Sequence, residues 1–178
     1  MKNTVSRATL AARRLLSDNN IVAIPTPLER LAKQAGATLA FEPFEGDVSG
    51  LLYRDDTKVV IGVNANDAAR RQRFTIAHEL GHLLLHADRP MFVDKHIRLS
   101  FRDGTSSLGT NAEEIEANAF AAELLMPATL VEQEVDRYSR TVKVLSPEQT
   151  IRHLARTFDV SPQAMEIRLT SLGYLSPT

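Results

Sequence analysis

Residues 78–82 read His78-Glu79-Leu80-Gly81-His82, an H-E-x-x-H motif set in a run with the apolar spacing of a helix. On a helix, residues four apart lie one turn apart on the same face. His78 and His82 can therefore present two imidazole nitrogens to one metal ion, and Glu79 stands beside them to act on a water molecule. The motif demands a helix, a neighbouring element that supplies a further ligand, and a packed surround that holds both. With 5 His in the chain, such a match arises by accident in roughly one chain in a hundred. The flanking sequence has to decide what it means.

The 178 residues suit one domain with a small appendage. Cysteine is absent, which removes disulfides and thiolate ligands and fits a reducing compartment. Met1-Lys2-Asn3-Thr4-Val5-Ser6-Arg7 leads into no uninterrupted apolar run, so no secretory leader is expected. The richest apolar stretch, 117–131, is broken by Asn118, Glu123 and Pro127, so no membrane span is expected. With 21 basic against 22 acidic side chains, net charge gives no reason to invoke nucleic acid or acidic lipid. These features are those expected of a soluble cytoplasmic protein.

The pattern along the chain predicts mixed α+β structure. Residues 5–17 have helical spacing, and a short helix is expected over 28–35 with Gly36 as its C-cap. Three strand-like runs follow, over 37–44, 48–54 and 58–64, with Gly46-Asp47 and Asp55-Asp56 as turns. The β-branched Val59-Val60-Ile61 predicts a central strand. Asn66-Asp67 is expected to cap a helix running to about Ala87. Residues 91–112 look less regular, although Ile97, Leu99 and Phe101 alternate with polar residues as a half-exposed strand would. A second strong helix is predicted from Ala112 to Met126, with Pro127 ending it and opening the next as its N1 residue. The tail predicts two short helices, over 147–157 and 162–172, separated by Phe158-Asp159-Val160-Ser161, with Ser161 as a cap.

Two histidines do not complete a catalytic metal site, which takes three protein ligands and leaves a position for water. His86 is four residues beyond His82, but on a straight helix it lies about 12 Å along the axis from His78. Bonds of about 2 Å cannot draw three such imidazoles onto one ion. His86 reads better as a polar residue in the last helical turn, near the negative end of the dipole. The second helix offers Glu113, Glu114 and Glu116. Glu114 shares a face with Asn118, Ala121 and Leu125, at the border of the buried side, whereas Glu113 and Glu116 point further toward the polar side. An E-x-x-x-N pair suits a ligand carboxylate followed one turn later by an amide that orients a ligand histidine. The plain alternative for all three glutamates is a solvated acidic first turn.

The run from Arg73 to His86 (RFTIAHELGHLLLH) and the run from Glu114 to Pro127 (EIEANAFAAELLMP) together resemble the ImmA/IrrE family of metallopeptidases. The strand Val59-Val60-Ile61-Gly62-Val63-Asn64 is similar too, and the resemblance spans roughly residues 20 to 135. It implies a small zincin-like domain of the gluzincin type, with a sheet of three or more strands packed on the H-E-x-x-H helix and a second ligand-bearing helix. It places the metal ligands at His78, His82 and Glu114, the general base at Glu79 and the supporting amide at Asn118. It implies zinc, with manganese or iron(II) able to occupy similar ligands. It also implies a regulatory endopeptidase whose protein substrate is a helix-turn-helix transcriptional repressor, in a stress or mobile-element response.

Residues 1–138 are then the metallopeptidase unit and 139–178 a helical, helix-turn-helix-like segment. A DNA-binding regulator would lay the second tail helix in the major groove. Residues 140–178 carry Arg140, Lys143, Arg152, Arg156 and Arg168 against Glu148, Asp159 and Glu166, a meagre set for phosphate contacts. DNA binding is therefore not favoured. The rival class remains a DNA- or protein-binding regulator with a non-catalytic metal site, although a structural ion would have no use for Glu79. Gly81 is read as a point of close approach by another element. Tyr138, His153, His96 and Arg98 are candidates to stabilise a developing oxyanion, and residues 96–102 are a candidate edge for an extended substrate.

Overall fold

The computed structural model describes residues 5–86, 91–95, 110–141 and 146–176. Among them are α1 (Arg7–Asp18), α2 (Leu28–Gln34), β1 (Ala37–Glu42), β2 (Val48–Arg54), β3 (Val59–Asn64), α3 (Ala69–Leu85), β4 (Met91–Lys95), α4 (Thr110–Leu125), α5 (Ala128–Thr141), α6 (Pro147–Thr157) and α7 (Pro162–Ser171). The class is mixed α+β. The strands form one four-stranded sheet in the order β1-β3-β2-β4. β3 is central, as its β-branched run predicts, parallel to β1 and antiparallel to β2. The hairpin between β2 and β3 is closed by Asp55, whose Oδ1 accepts the N–H groups of Thr57 at 2.8 Å and Lys58 at 3.0 Å.

β4 is an addition to the expected strands. It pairs antiparallel with β2, with an irregularity in register between Val48 and Gly50. The run 96–102, expected as a strand or substrate edge, lies outside the described residues.

α3 is enclosed on several sides. It packs on β2 and β3, on α4, and on α1 and α2. Every residue from Phe74 to His82 is buried, the polar Thr75, His78, Glu79 and His82 included. Its start differs from expectation. Asn66 and Asp67 do not cap it: α3 begins at Ala69, with Ala68 in the cap position and no side chain bonding there. The Asn66 N–H instead donates to Asn64 Oδ1 at 3.0 Å, and Gln72 Nε2 donates to the carbonyls of Asn64, Ala65 and Asp67. Local turn bonding has outcompeted capping. The C-terminal end of α3 is covered by cations, as the helix dipole favours: Arg7 donates to Leu85 O at 3.0 Å and Arg54 to His86 O at 3.1 Å.

The tail helices pack on the same core. Leu154, Phe158, Met165 and Leu169 join one cluster with residues of α1 to α4. Ser161 caps α7 as expected, accepting from Ala164 N–H at 3.1 Å. Pro127 sits one position earlier than expected, before the first residue of α5, where its carbonyl accepts the Val131 N–H at 2.9 Å. Glu123 of α4, which is 2% exposed, is paired with Arg168 of α7 and with Arg13 of α1. Asp159, at φ 51° in the turn between α6 and α7, faces Arg70 and Arg73 at the start of α3. Among the described residues no helix is long and apolar enough to cross a membrane.

Candidate metal centre

The site is assembled where α3 meets α4 at close range. Gly81 makes that approach feasible: a Cβ built there would stand 3.1 Å from Ala117 Cα and 3.3 Å from Ala117 O. With no side chain at Gly81, α4 comes close enough to bring Glu114 over the two histidines.

His78 and His82 aim their Nε2 atoms at a common point, 2.9 Å from each other. The Glu114 carboxylate completes a triangle, with Oε2 at 3.3 Å from His78 Nε2 and Oε1 at 3.2 Å from His82 Nε2. Donor atoms on a tetrahedral ion with bonds of about 2.0–2.1 Å stand about 3.3 Å apart. Among the described residues, His78, His82 and Glu114 form the group able to hold a metal ion.

The hydrogen bonds behind the triangle support that assignment. His78 Nδ1 lies 3.1 Å from Asn118 Oδ1, a contact that suits the tautomer with the proton on Nδ1. His78 Nε2 then faces inward as a lone pair. Two imidazole nitrogens and a carboxylate converging at this distance could hold a divalent ion between them. Burial pushes the Glu114 carboxyl up, yet its bonds to His78 and His82 and their charges hold it below the usual carboxylate range. Burial holds His82 below the usual imidazole value, against the opposing pull of Glu114, which favours the neutral, ligating form.

Glu79, the expected general base, is fully buried. It lies against β2 at Gly50, where a built Cβ would stand 3.1 Å from Glu79 Oε1 and overlap Thr75 Cγ2. Sequence reasoning missed Gly50, although a glycine inside a strand pattern is a known sign of close approach. The register irregularity of β2 sits at this point, as bulges beside active sites often do. Ser49, fully buried, accepts from Arg71 Nη2 at 3.1 Å.

His86 departs from the role expected of it. It is the residue after the last turn of α3, its side chain only 7% exposed, and it bonds to both His82 and Glu116. Glu116 is correspondingly turned toward α3 rather than purely to the polar side. The oxyanion candidates Tyr138 and His153 stack on each other, with ring centroids 4.1 Å apart and planes at 10°. His96 and Arg98 lie outside the described residues.

Comparison with known proteins points to a family of metalloproteases. The chain is 35% identical over 129 residues to the radiation response metalloprotease IrrE of Deinococcus deserti, covering 71% of this chain and 40% of that protein. The Deinococcus radiodurans protein of the same name is 30% identical over 114 residues, covering 62% of this chain and 30% of the relative. An uncharacterized immunity region protein 2 of Bacillus phage phi105 is 30% identical over 89 residues, about half of each chain. The chain thus spans well under half the length of the two Deinococcus relatives. A solved Mycobacterium tuberculosis transcriptional regulator shares the fold, with a TM-score of 0.61 over 94% of this chain and 47% of that one, at 22% identity. The sequence profile of the IrrE N-terminal-like domain matches residues 32–170, so the chain belongs to that family of metallopeptidases.

Proposed function

We propose that this chain is a zinc-dependent endopeptidase that cleaves a regulatory protein, with His78, His82 and Glu114 as metal ligands, Glu79 as general base and Asn118 orienting His78. The observation that carries the reading is the convergence of two imidazole nitrogens and one carboxylate, with a buried Glu79 one residue from the first ligand. Manganese or iron(II) suits the same donors. A bound divalent ion supplies polarisation of the scissile carbonyl and acidification of a water molecule. Glu79 takes the proton from that water at a carboxylate oxygen and later gives it to the leaving amine. Asn118 holds the His78 ring and its tautomer throughout.

The substrate class we favour is a helix-turn-helix transcriptional repressor. Relatives named for a radiation response and for a phage immunity region point to switching rather than to bulk digestion. Residues 1–138 would form the catalytic unit and 139–178 a helical segment docked on it, inside the cytoplasm. A DNA-binding role for that segment is disfavoured by Arg168. It is the one basic residue of α7, and it turns inward to Glu123 and to Met126 O. The exposed side of α7 carries Gln163 and Glu166 and no cation, a poor surface for phosphates.

The test is to incubate the zinc-loaded chain with a repressor encoded beside its gene and to follow the fragments by mass spectrometry. Specific cleavage by the parent chain and none by Glu79→Gln is expected. Equal cleavage by Glu79→Gln would remove the general-base role. Tight, sequence-specific DNA binding that persists in high salt would favour the regulator reading instead.

A further inference from the structure

The two ligand histidines are backed differently. His78 leans on one amide, Asn118. His82 turns its Nδ1 to the Nδ1 of His86 at 3.1 Å, and His86 in turn places Nε2 3.0 Å from Glu116 Oε2. Two ring nitrogens form a hydrogen bond only when one carries the proton and the other a lone pair. The carboxylate end of the chain sets the direction. Glu116 accepts, so His86 Nε2 carries a proton. When the second nitrogen of His86 is the acceptor, His82 donates to it from Nδ1. In that tautomer His82 Nε2 is the nitrogen available to an ion shared with Glu114 and with His78 Nε2, 2.9 Å away.

We propose that His86 and Glu116 are positioning residues for the metal centre, forming a carboxylate–imidazole–imidazole relay that fixes the tautomer and ring orientation of His82. The inference rests on His78, His82 and Glu114 being the ligand set. Three further observations support it. His86 is held at its backbone, its N–H on His82 O at 3.0 Å and its carbonyl on Arg54. It leaves the helix at φ −123° and ψ 63°, and its ring stays tilted at 52° against that of His82, with centroids 5.1 Å apart. Glu116 stands two residues past Glu114, so α4 contributes a ligand on one side of His82 and the anchor of its support on the other. The distance along α3 that disqualifies His86 as a ligand is what lets it reach the outer nitrogen of His82.

The test uses the whole chain with His86→Ala, Glu116→Ala and the conservative His86→Asn, whose Oδ1 can take the place of Nδ1 as acceptor. Zinc affinity is measured by competition with a chromogenic chelator, and the His82 tautomer by long-range proton–nitrogen NMR on the metal-free chain. His86→Ala should weaken zinc binding about 10- to 100-fold and mix the Nε2–H tautomer into His82. Glu116→Ala should do the same to a smaller degree, and His86→Asn should restore most of both. A zinc affinity within twofold of the parent together with an unchanged Nδ1–H tautomer in His86→Ala would overturn the relay. The tautomer measurement needs no bound ion. If the parent chain fails to bind zinc, the ligand assignment falls, while the His82 tautomer still upholds or overturns its support by His86.

Discussion

Gly81 of α3 lies directly against Ala117 of α4, where a methyl group would stand 3.1 Å from Ala117 Cα and fit only if the helices gave by a few tenths of an ångström. The contact is backbone to backbone, so neither helix can yield by turning a side chain. Gly81→Ala would raise helix propensity by about 1 kcal/mol, and overpacking would cost about 1–3 kcal/mol. We expect a modest net loss of stability in urea unfolding and a larger proportional loss of zinc affinity, because separating the helices withdraws Glu114. A variant with parental zinc affinity would show that the close approach does not set the site.

Gly50 does on the sheet side what Gly81 does on the helix side. Gly50→Ala would meet Thr75 Cγ2 and press on Glu79 Oε1. Zinc stoichiometry should hold while turnover falls at least tenfold, since Glu79 is displaced and the ligands are not. Adding Thr75→Ser removes the obstructing methyl and should recover part of the loss. Parental turnover in Gly50→Ala alone would contradict this.

Separate residues should separate metal loading from chemistry. Glu79→Gln should retain bound zinc and lose about 10²- to 10⁴-fold in turnover. Glu114→Ala should lose the ion, and Asn118→Ala should weaken it about 10- to 100-fold. Metal analysis after gel filtration, beside a peptide-cleavage assay, resolves the three. Unchanged zinc in Glu114→Ala would remove that residue from the ligand set.

Glu123 and Arg168 form a buried ion pair that docks α7 on α4, with Arg13 joining from α1. Removing one member strands a buried charge, which typically costs about 3–5 kcal/mol. Arg168→Met should approach that range in chemical denaturation, and the double variant with Glu123→Leu should recover part of it. An Arg168→Met variant as stable as the parent would show that water reaches Glu123.

Elements set by local pattern were legible from the sequence. β2 and α6 fall at their expected bounds, and the β-branched run 59–61 is central in the sheet. His78 and His82 come together because four residues make one turn, and Glu114 with Asn118 follows from the same period on α4. What stayed hidden depends on contacts between elements far apart in sequence. Gly50 matters through Thr75 and Glu79, and His86 through Glu116, 30 residues away. Glu123 finds Arg168 at a separation of 45 residues. Asn66-Asp67 misled because a turn and a helix start attract the same residue types, and Gln72 decided for the turn.

The proposed ligand set joins a local pair to a remote carboxylate. His78 and His82 stand together as soon as α3 is wound, whereas Glu114 arrives only when α4 has docked. An ion held by all three therefore binds the native chain more tightly than the unfolded one. By mass action that difference reappears as folding free energy, about 2.7 kcal/mol when free ion stands at one hundred times its dissociation constant. On the proposed ligand set, the metal centre doubles as a clasp between two helices, and a chelator should act on this chain as a mild denaturant.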